Sequence, residues 1–312
     1  MATVQEILNE EIPDPTLSII PGYGAPLPSE VNFGRNTAAH TLRNGRLVEV
    51  GSDQHRVYGP EQALLLESNG RTNYFVNSHD LTSGDPDGSP SPTSHTSIYG
   101  SSYTAYSTSG NEMRYKFFPT SYGNVGSFSA IIERNGASEI QFRWFDDSSR
   151  KEWTKYDWAN DSISYTTTTS SLDIVLNYTE TLTESGPNGT EVRRVVFGIS
   201  GPSADSIRID IEPLGTIVHH FQTTDGSEEA MPIFSDPGTG NSNSTTRGGE
   251  FANLDTTAGN WWNGDEGTFL AEYTILHTTN AGRGGIVGFT RSSSWISTNS
   301  DKDPSVFSDD GT

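Results

Sequence analysis

Residues 126–158, GSFSAIIERNGASEIQFRWFDDSSRKEWTKYDW, restrict the fold more than any other stretch. Ile140, Phe142 and Trp144 alternate with Gln141, Arg143 and Phe145. That period of two belongs to a strand with one buried face; a helix would scatter it around its circumference. Residues 127–133 read as the preceding strand. Arg134-Asn135-Gly136 between them predicts a tight hairpin, because Asn and Gly both tolerate positive φ. Asp146, Asp147, Arg150, Trp153, Tyr156 and Trp158 then bring charges and flat rings into what reads as a polar loop. Rings stack on the C–H faces of a sugar, and carboxylates and guanidinium groups fork its hydroxyls, so this loop is a candidate glycan-binding surface. Trp144, in phase with Ile140 and Phe142, is expected in the core.

The same alternation recurs along the chain. Strands are predicted at 103–107, 113–118, 163–168, 172–178, 192–199 and 207–212; in the last, Ile207, Ile209 and Ile211 face inward and Arg208 and Asp210 outward. Turn-rich text separates them, including the run ESGPNG at 184–189. The expected fold class is all-β: a jelly-roll β-sandwich over 74–218. A small β-hairpin module precedes it over 31–73, with Asn44-Gly45 as its turn. Residues 1–30 begin with a short helical stretch at 4–11. Pro and Gly then follow closely, and the whole reads as an extended N-terminal arm. Residues 219–250 read as linker, and 251–312 as a second, partial β-sandwich-like region. Its last residues, Asp309-Asp310-Gly311-Thr312, are loop text and suggest a cut chain.

Charge narrows the partners. Forty acidic residues against 19 basic ones give a net charge of −21, a field that repels nucleic acid. Lys116, Lys151, Lys155 and Lys302 are the only lysines. A lysine-poor acidic surface suits a protein that must stay hydrated in molar salt, where a Debye length of about 3 Å screens its self-repulsion. A halophilic setting is the expectation. No apolar run approaches bilayer length, so membrane insertion is not expected. The start Met1-Ala2-Thr3-Val4-Gln5-Glu6 lacks a basic region and an apolar stretch, so no signal peptide is read there.

Catalytic constellations do not emerge, and the chain reads as no enzyme. There is no Cys, no G-x-S-x-G, no P-loop and no H-E-x-x-H. Adjacent carboxylates such as Asp146 and Asp147 are expected by chance in so acidic a chain. His219 and His220, as neighbours on a strand, would face opposite ways and could not share a metal. No cofactor is called for. Calcium is the one ion its loop carboxylates would suit, with Asp85-Pro86-Asp87-Gly88 the most suggestive site, although no Asp-x-Asp-x-Asp-Gly loop occurs. Trp261 and Trp262 straddle a strand start, one expected in the core and the other exposed as a further glycan-binding candidate.

An ordered set of short motifs carries a resemblance. Phe33, Arg35, Thr37 and Ala38 come first, then Asn44-Gly45-Arg46-Leu47, His55-Arg56-Val57-Tyr58, Leu64-Leu65-Leu66-Glu67 and Arg71-Thr72-Asn73. This order resembles a recurrent module of tailed-virus structural proteins. Asn36 stands where that module has a small hydroxyl residue, and Asn69-Gly70 depart from its usual text before Arg71. In such proteins a carbohydrate-binding-module-like jelly roll follows. The tract from Trp261 to Tyr273 is similar to the entry of their concanavalin/laminin-G-like domains. The resemblance implies a virion part: a tail fibre, spike or capsid turret, forming a homo-oligomer (trimer or pentamer). It implies an N-terminal arm held by other virion proteins and a jelly roll that binds host-surface glycan. The alternative is a capsid or tail connector with no ligand.

Overall fold

Strands with one apolar face are stable only when a second sheet covers that face. The computed structural model describes residues 26–58, 63–67, 70–75, 78–79, 85–86, 92–108, 113–117, 125–146, 149–167, 173–200, 207–213, 215–225, 232–233 and 245–254. All of them belong to the unit Leu17–Trp261. Every regular element among them is a strand. The first six are β1 (Val31–Gly34), β2 (Ala39–Arg43), β3 (Arg46–Val50), β4 (Arg56–Tyr58), β5 (Ala63–Leu65) and β6 (Arg71–Asn73). β7 (Asp85–Pro86), β8 (Thr93–Ser97), β9 (Gly100–Ser107), β10 (Met113–Phe117), β11 (Val125–Glu133) and β12 (Glu139–Asp146) come next. β13 (Ser149–Asp157), β14 (Ser162–Thr167), β15 (Asp173–Thr183), β16 (Val192–Ser200), β17 (Ile207–Glu212) and β18 (Ile217–Asp225) complete the large sheets. β19 (Thr245–Arg247) and β20 (Phe251–Leu254) follow.

Two six-stranded antiparallel sheets form a sandwich. One runs β14-β13-β12-β17-β10-β7, the other β15-β16-β11-β18-β9-β8. The chain switches sheets repeatedly, at β9→β10→β11→β12 and again at β16→β17→β18, in the manner of a jelly roll. Inward residues of both sheets make one core: Phe128, Ala130 and Ile132 of β11 meet Ile140 and Phe142 of β12, Tyr156 of β13 and Ile211 of β17. The Phe128 and Phe142 rings meet edge to face with centroids 5.4 Å apart. Phe128, Phe142, Phe197 and Phe221 are buried, each contributing about 1.5–3 kcal/mol of hydrophobic stabilisation.

The turn at 134–136 differs from its expected role. β11 and β12 are both strands, but they do not pair. β11 lies between β16 and β18, whereas β12 lies between β13 and β17. Gly136 has the positive φ of 71° that the sequence signals, yet the turn carries the chain from one sheet to the other. An Asn-Gly turn reverses direction; it cannot choose between a partner beside it and one across the core. The 44–45 turn does make a hairpin, with Asn44 and Gly45 at φ 51° and 70°, the type I′ signature that matches strand twist.

The hairpin β2–β3 packs on the outside of the β11 sheet, where Leu42 and Leu47 meet Ile98, Tyr99, Ile131, Leu182 and Val192. Here a second expectation changes. The pairing of β11 with β18 shifts register between Ile131 and Ile132, and His219 has no paired residue. Val218 and Phe221 stay in the core, while His219 and His220 both reach the Ile98–Tyr99 turn. A bulge adds one residue and so breaks strict alternation.

The segment expected as linker from 219 begins inside β18, and its end returns to the first module: β19 pairs with β6, and β20 with β1. Residues 1–25 and 255–312, which hold the expected arm, Trp261, Trp262 and most of the expected second β region, lie outside the described residues.

Candidate functional site

Two buried polar hubs absorb residues that would otherwise look functional. Glu250 is buried, and its carboxylate accepts from Arg35 at 2.6 Å, from Arg56 Nε at 2.8 Å and Nη2 at 2.6 Å, and from the Glu67 N–H at 3.0 Å. Arg56 also reaches Glu67 at 2.5 Å, and Arg247 reaches Glu67 at 3.2 Å. Burial pulls the Arg56 guanidinium down, but Glu67 and Glu250 outweigh it and hold it above its ordinary value. Three residues of the ordered motifs between Phe33 and Asn73, Arg35, Arg56 and Glu67, thus converge on a carboxylate far along the chain. A fourth, Asn73, accepts the Phe75 and Thr223 N–H groups and donates to the Ile233 carbonyl. Their work is to pin the module to 245–254 and to β18.

The second hub is Glu133. Its carboxylate accepts from Asn188 N at 3.0 Å, Asn188 Nδ2 at 2.7 Å, Thr190 Oγ1 at 3.2 Å and His219 Nε2 at 3.0 Å. Burial would raise this carboxyl, and the bonds from His219, Asn188 and Thr190 overcome it, so it stays below the usual carboxylate range. His219 Nδ1 accepts the Ile98 N–H at 3.2 Å, which places the ring proton on Nε2. Burial keeps the ring neutral, against the pull of Glu133. With both nitrogens engaged, this dyad resembles an acid–base pair but has no free site for one. It fastens the 184–190 turn to the end of β11.

The sequence-selected aromatic cluster divides. Residues 149–157 are the strand β13, not a loop. Tyr156 is fully buried and Trp158 is 5% exposed; both belong to the inter-sheet core. Their rings meet edge to face at 5.0 Å, Trp158 Nε1 donates to Thr216 Oγ1 at 3.2 Å, and the Tyr156 hydroxyl donates to Asp161 at 3.1 Å. Neither can stack on a sugar. Polar neighbours in sequence made them look like loop residues, but Tyr156 lies opposite Ile140, and Ile140 faces the core. Asp146 is the last residue of β12, paired with Ser149 at the start of β13. Asp147 lies outside the described residues.

Trp153 and Arg150 fall elsewhere. Trp153 is opposite Arg143 on β12 and Thr166 on β14; Arg143 is in turn opposite Asp210 on β17, and Asp210 opposite Arg114 on β10. The row Asp85–Arg114–Asp210–Arg143–Trp153–Thr166 crosses six strands. The next row is Lys116–Arg208–Phe145–Arg150. The first row is out of phase with the buried Phe142, Tyr156 and Ile211, and a register shift in the β12–β13 pairing separates it from the second. A third row, Glu212–Gln141–Lys155–Ser164, ends on the exposed Ser164; Lys155 bridges to Glu139 at 3.1 Å, and Gln141 donates to the same carboxylate. The β2–β3 hairpin packs on the other sheet, away from this face.

No protein-family model matches the chain, and no curated protein matches it. The site therefore rests on its own geometry. Arg143, Arg114, Lys116 and Phe145 are not among the glycan-binding candidates read from the sequence. Alternation does place Arg208 and Asp210 outward, but only the strand order β14-β13-β12-β17-β10 brings distant segments beside Trp153. Among the described residues the exposed aromatics are scattered: Tyr165 is 48% exposed on the edge strand β14, and Tyr103 is 36% exposed on β9 of the other sheet. Asp85 and Pro86 form β7 beside β10, and Asp87 and Gly88 lie outside the described residues. Among the described residues, no group of three or more His, Asp or Glu side chains could hold a metal ion.

Proposed function

We propose that this chain is a virion structural appendage (a tail fibre, spike or capsid turret) that binds host-surface glycan through the outer face of the β14-β13-β12-β17-β10 sheet. The carrying observation is the cross-strand row that puts Trp153 level with Arg143 and the exposed Thr166. An aromatic residue among guanidinium and hydroxyl residues on a broad sheet supplies the stacking and hydrogen-bonding groups a saccharide needs. The ordered motifs from Phe33 to Asn73 support the virion assignment through their likeness to tailed-virus structural proteins. On this reading the N-terminal arm and first module attach the protein to other virion parts, and the protein is a homo-oligomer with a halophilic host. Binding is by the protein alone, without chemistry on the sugar.

The test is binding of the full chain, in molar salt, to a panel of immobilised polysaccharides, with Trp153→Ala alongside. Saturable binding that Trp153→Ala abolishes while the melting temperature holds supports the reading. A correctly folded oligomer that binds no member of the panel overturns it in favour of a connector without ligand.

A further inference from the structure

We propose that Asn135 is a site of spontaneous deamidation, and that the fold slows the same reaction at Asn44 and Asn188. Asn44-Gly45, Asn135-Gly136 and Asn188-Gly189 are the Asn-Gly pairs that lie wholly within the described residues. Asparagine is a thermolabile residue, and a following glycine, with no Cβ, leaves its own nitrogen open to approach. At Asn135 the Gly136 nitrogen attacks Cγ. A bond forms between them, the Cγ–Nδ2 bond breaks, and ammonia leaves behind a cyclic imide. Solvent water then opens the ring at either carbonyl, giving aspartate or isoaspartate without oxidant, reductant or enzyme. The three pairs are alike in sequence, so any difference between them comes from structure.

Exposure does not separate them, since Asn44, Asn135 and Asn188 are all exposed; bonding does. Asn188 Oδ1 accepts from Thr96 N at 3.1 Å, and its Nδ2 donates to the Thr96 carbonyl at 2.9 Å and to Glu133 at 2.7 Å. The attacking group is engaged as well, for Gly189 N donates to the Gly186 carbonyl at 3.0 Å. Reaction there requires the 184–190 turn to open away from Glu133. Asn44 sits at the tip of the β2–β3 hairpin, which is paired up to Arg43 and Arg46, with Thr183 against Gly45. Swinging the Gly45 peptide toward the Asn44 side chain disrupts that pairing. Asn135 has neither restraint. β11 and β12 do not pair, and among the described residues Gly136 N donates to no acceptor. The Asn135 carboxamide makes one bond there, from Nδ2 to the Gly215 carbonyl at 3.2 Å. A Cβ on Gly136 would meet nothing within 4 Å, so the peptide has room to move. The product carboxylate cannot donate to Gly215, and isoaspartate also lengthens the main chain in the turn between the sheets.

The experiment incubates the full chain, folded and urea-denatured, in mildly alkaline buffer and follows each Asn-Gly peptide by mass spectrometry that resolves aspartate from isoaspartate. In the denatured chain the three sites should react at similar rates. In the folded protein Asn135 should react at least about tenfold faster than Asn188, with Asn44 between them. Gly136→Ala, whose methyl group shields the attacking nitrogen, should slow Asn135 and leave Asn44 unchanged. Glu133→Ala, where it still folds, should speed Asn188 by removing one of its restraints. Equal rates at Asn135 and Asn188 in the folded protein would overturn the proposal. So would an intact Asn135 over the time in which the denatured chain reacts. Aspartate without isoaspartate at 135, at a rate that Gly136→Ala does not change, would replace the cyclic route with direct hydrolysis and overturn it too.

Discussion

Trp153 and Trp158 lie five positions apart in similar text, yet Trp153 is paired across the sheet with Arg143 and Thr166, whereas Trp158 belongs to the core. Trp158 is closed in the core with its indole N–H bonded to Thr216, so Trp158→Ala should cost about 3–5 kcal/mol through the cavity it leaves. On the proposed glycan-binding reading, Trp153→Ala, at a position out of phase with the buried Tyr156, should leave the denaturant midpoint nearly unchanged and remove binding. Chemical denaturation of the two variants side by side checks the assignment, and a stable Trp158→Ala protein would refute it. Glu133 offers a second residue-scale test. Glu133→Ala removes the acceptor for His219, Asn188 and Thr190 together, and stranding buried donors should destabilise the protein by about 3 kcal/mol or more.

Turns with the same residues serve two different connections at the scale of elements. Gly45 closes the β2–β3 hairpin at φ 70°, and a Cβ there would come within 3.0 Å of Thr183 Oγ1. Gly136 turns the chain between sheets at φ 71°, and a Cβ there would meet nothing within 4 Å. Gly136→Ala should therefore cost only the left-handed backbone penalty, about 1–2 kcal/mol. Gly45→Ala should cost more and loosen the hairpin from the sandwich. Hydrogen exchange of the β2 and β3 amides would show faster opening in the second variant alone. The Asn-Gly signals at 44–45 and 135–136 announce turns and were legible. Which strand lies beside which was not, because pairing depends on the neighbours that β11 finds at residues 192–200 and 217–225, remote in sequence. The bulge at His219 was hidden for the same reason: register is a property of two strands, not of one.

The whole unit is tied together by contacts between its ends. Glu250 joins Arg35 and Arg56 across most of the described chain, and Glu250→Ala leaves the buried Arg35 without its carboxylate and Arg56 with Glu67 alone. The expected loss is about 3–5 kcal/mol, read as a lowered melting temperature. The packing of the first module on the sandwich also makes stability depend on pH. Burial, then Arg56, lowers His40 to about 4; burial, then His40, lowers His220 to about 3. The unfolded chain takes up these protons near pH 6.5, the folded protein only near those lower values. The unfolded state therefore binds more protons in between, and stability falls as pH drops from 6.5 toward 4 and 3. Each histidine should contribute about 2 kcal/mol of that loss by pH 5. Denaturant midpoints at pH 7.5 and 5.0 measure it, and His220→Gln should shrink the difference.

Period-two alternation and turn residues by themselves determined that this chain is all-β and where most of its strands run, because those signals act within a few residues. Only the tertiary structure decided which side of the sandwich each aromatic occupies, that His219 and His220 share a face, and that Arg35, Arg56 and Glu67 meet Glu250. It alone assembled Arg114, Arg143, Trp153 and Arg208 from four strands. The physical reason is that sheet faces are built across strands by hydrogen bonds between distant segments, and no local pattern encodes the order in which those segments lie.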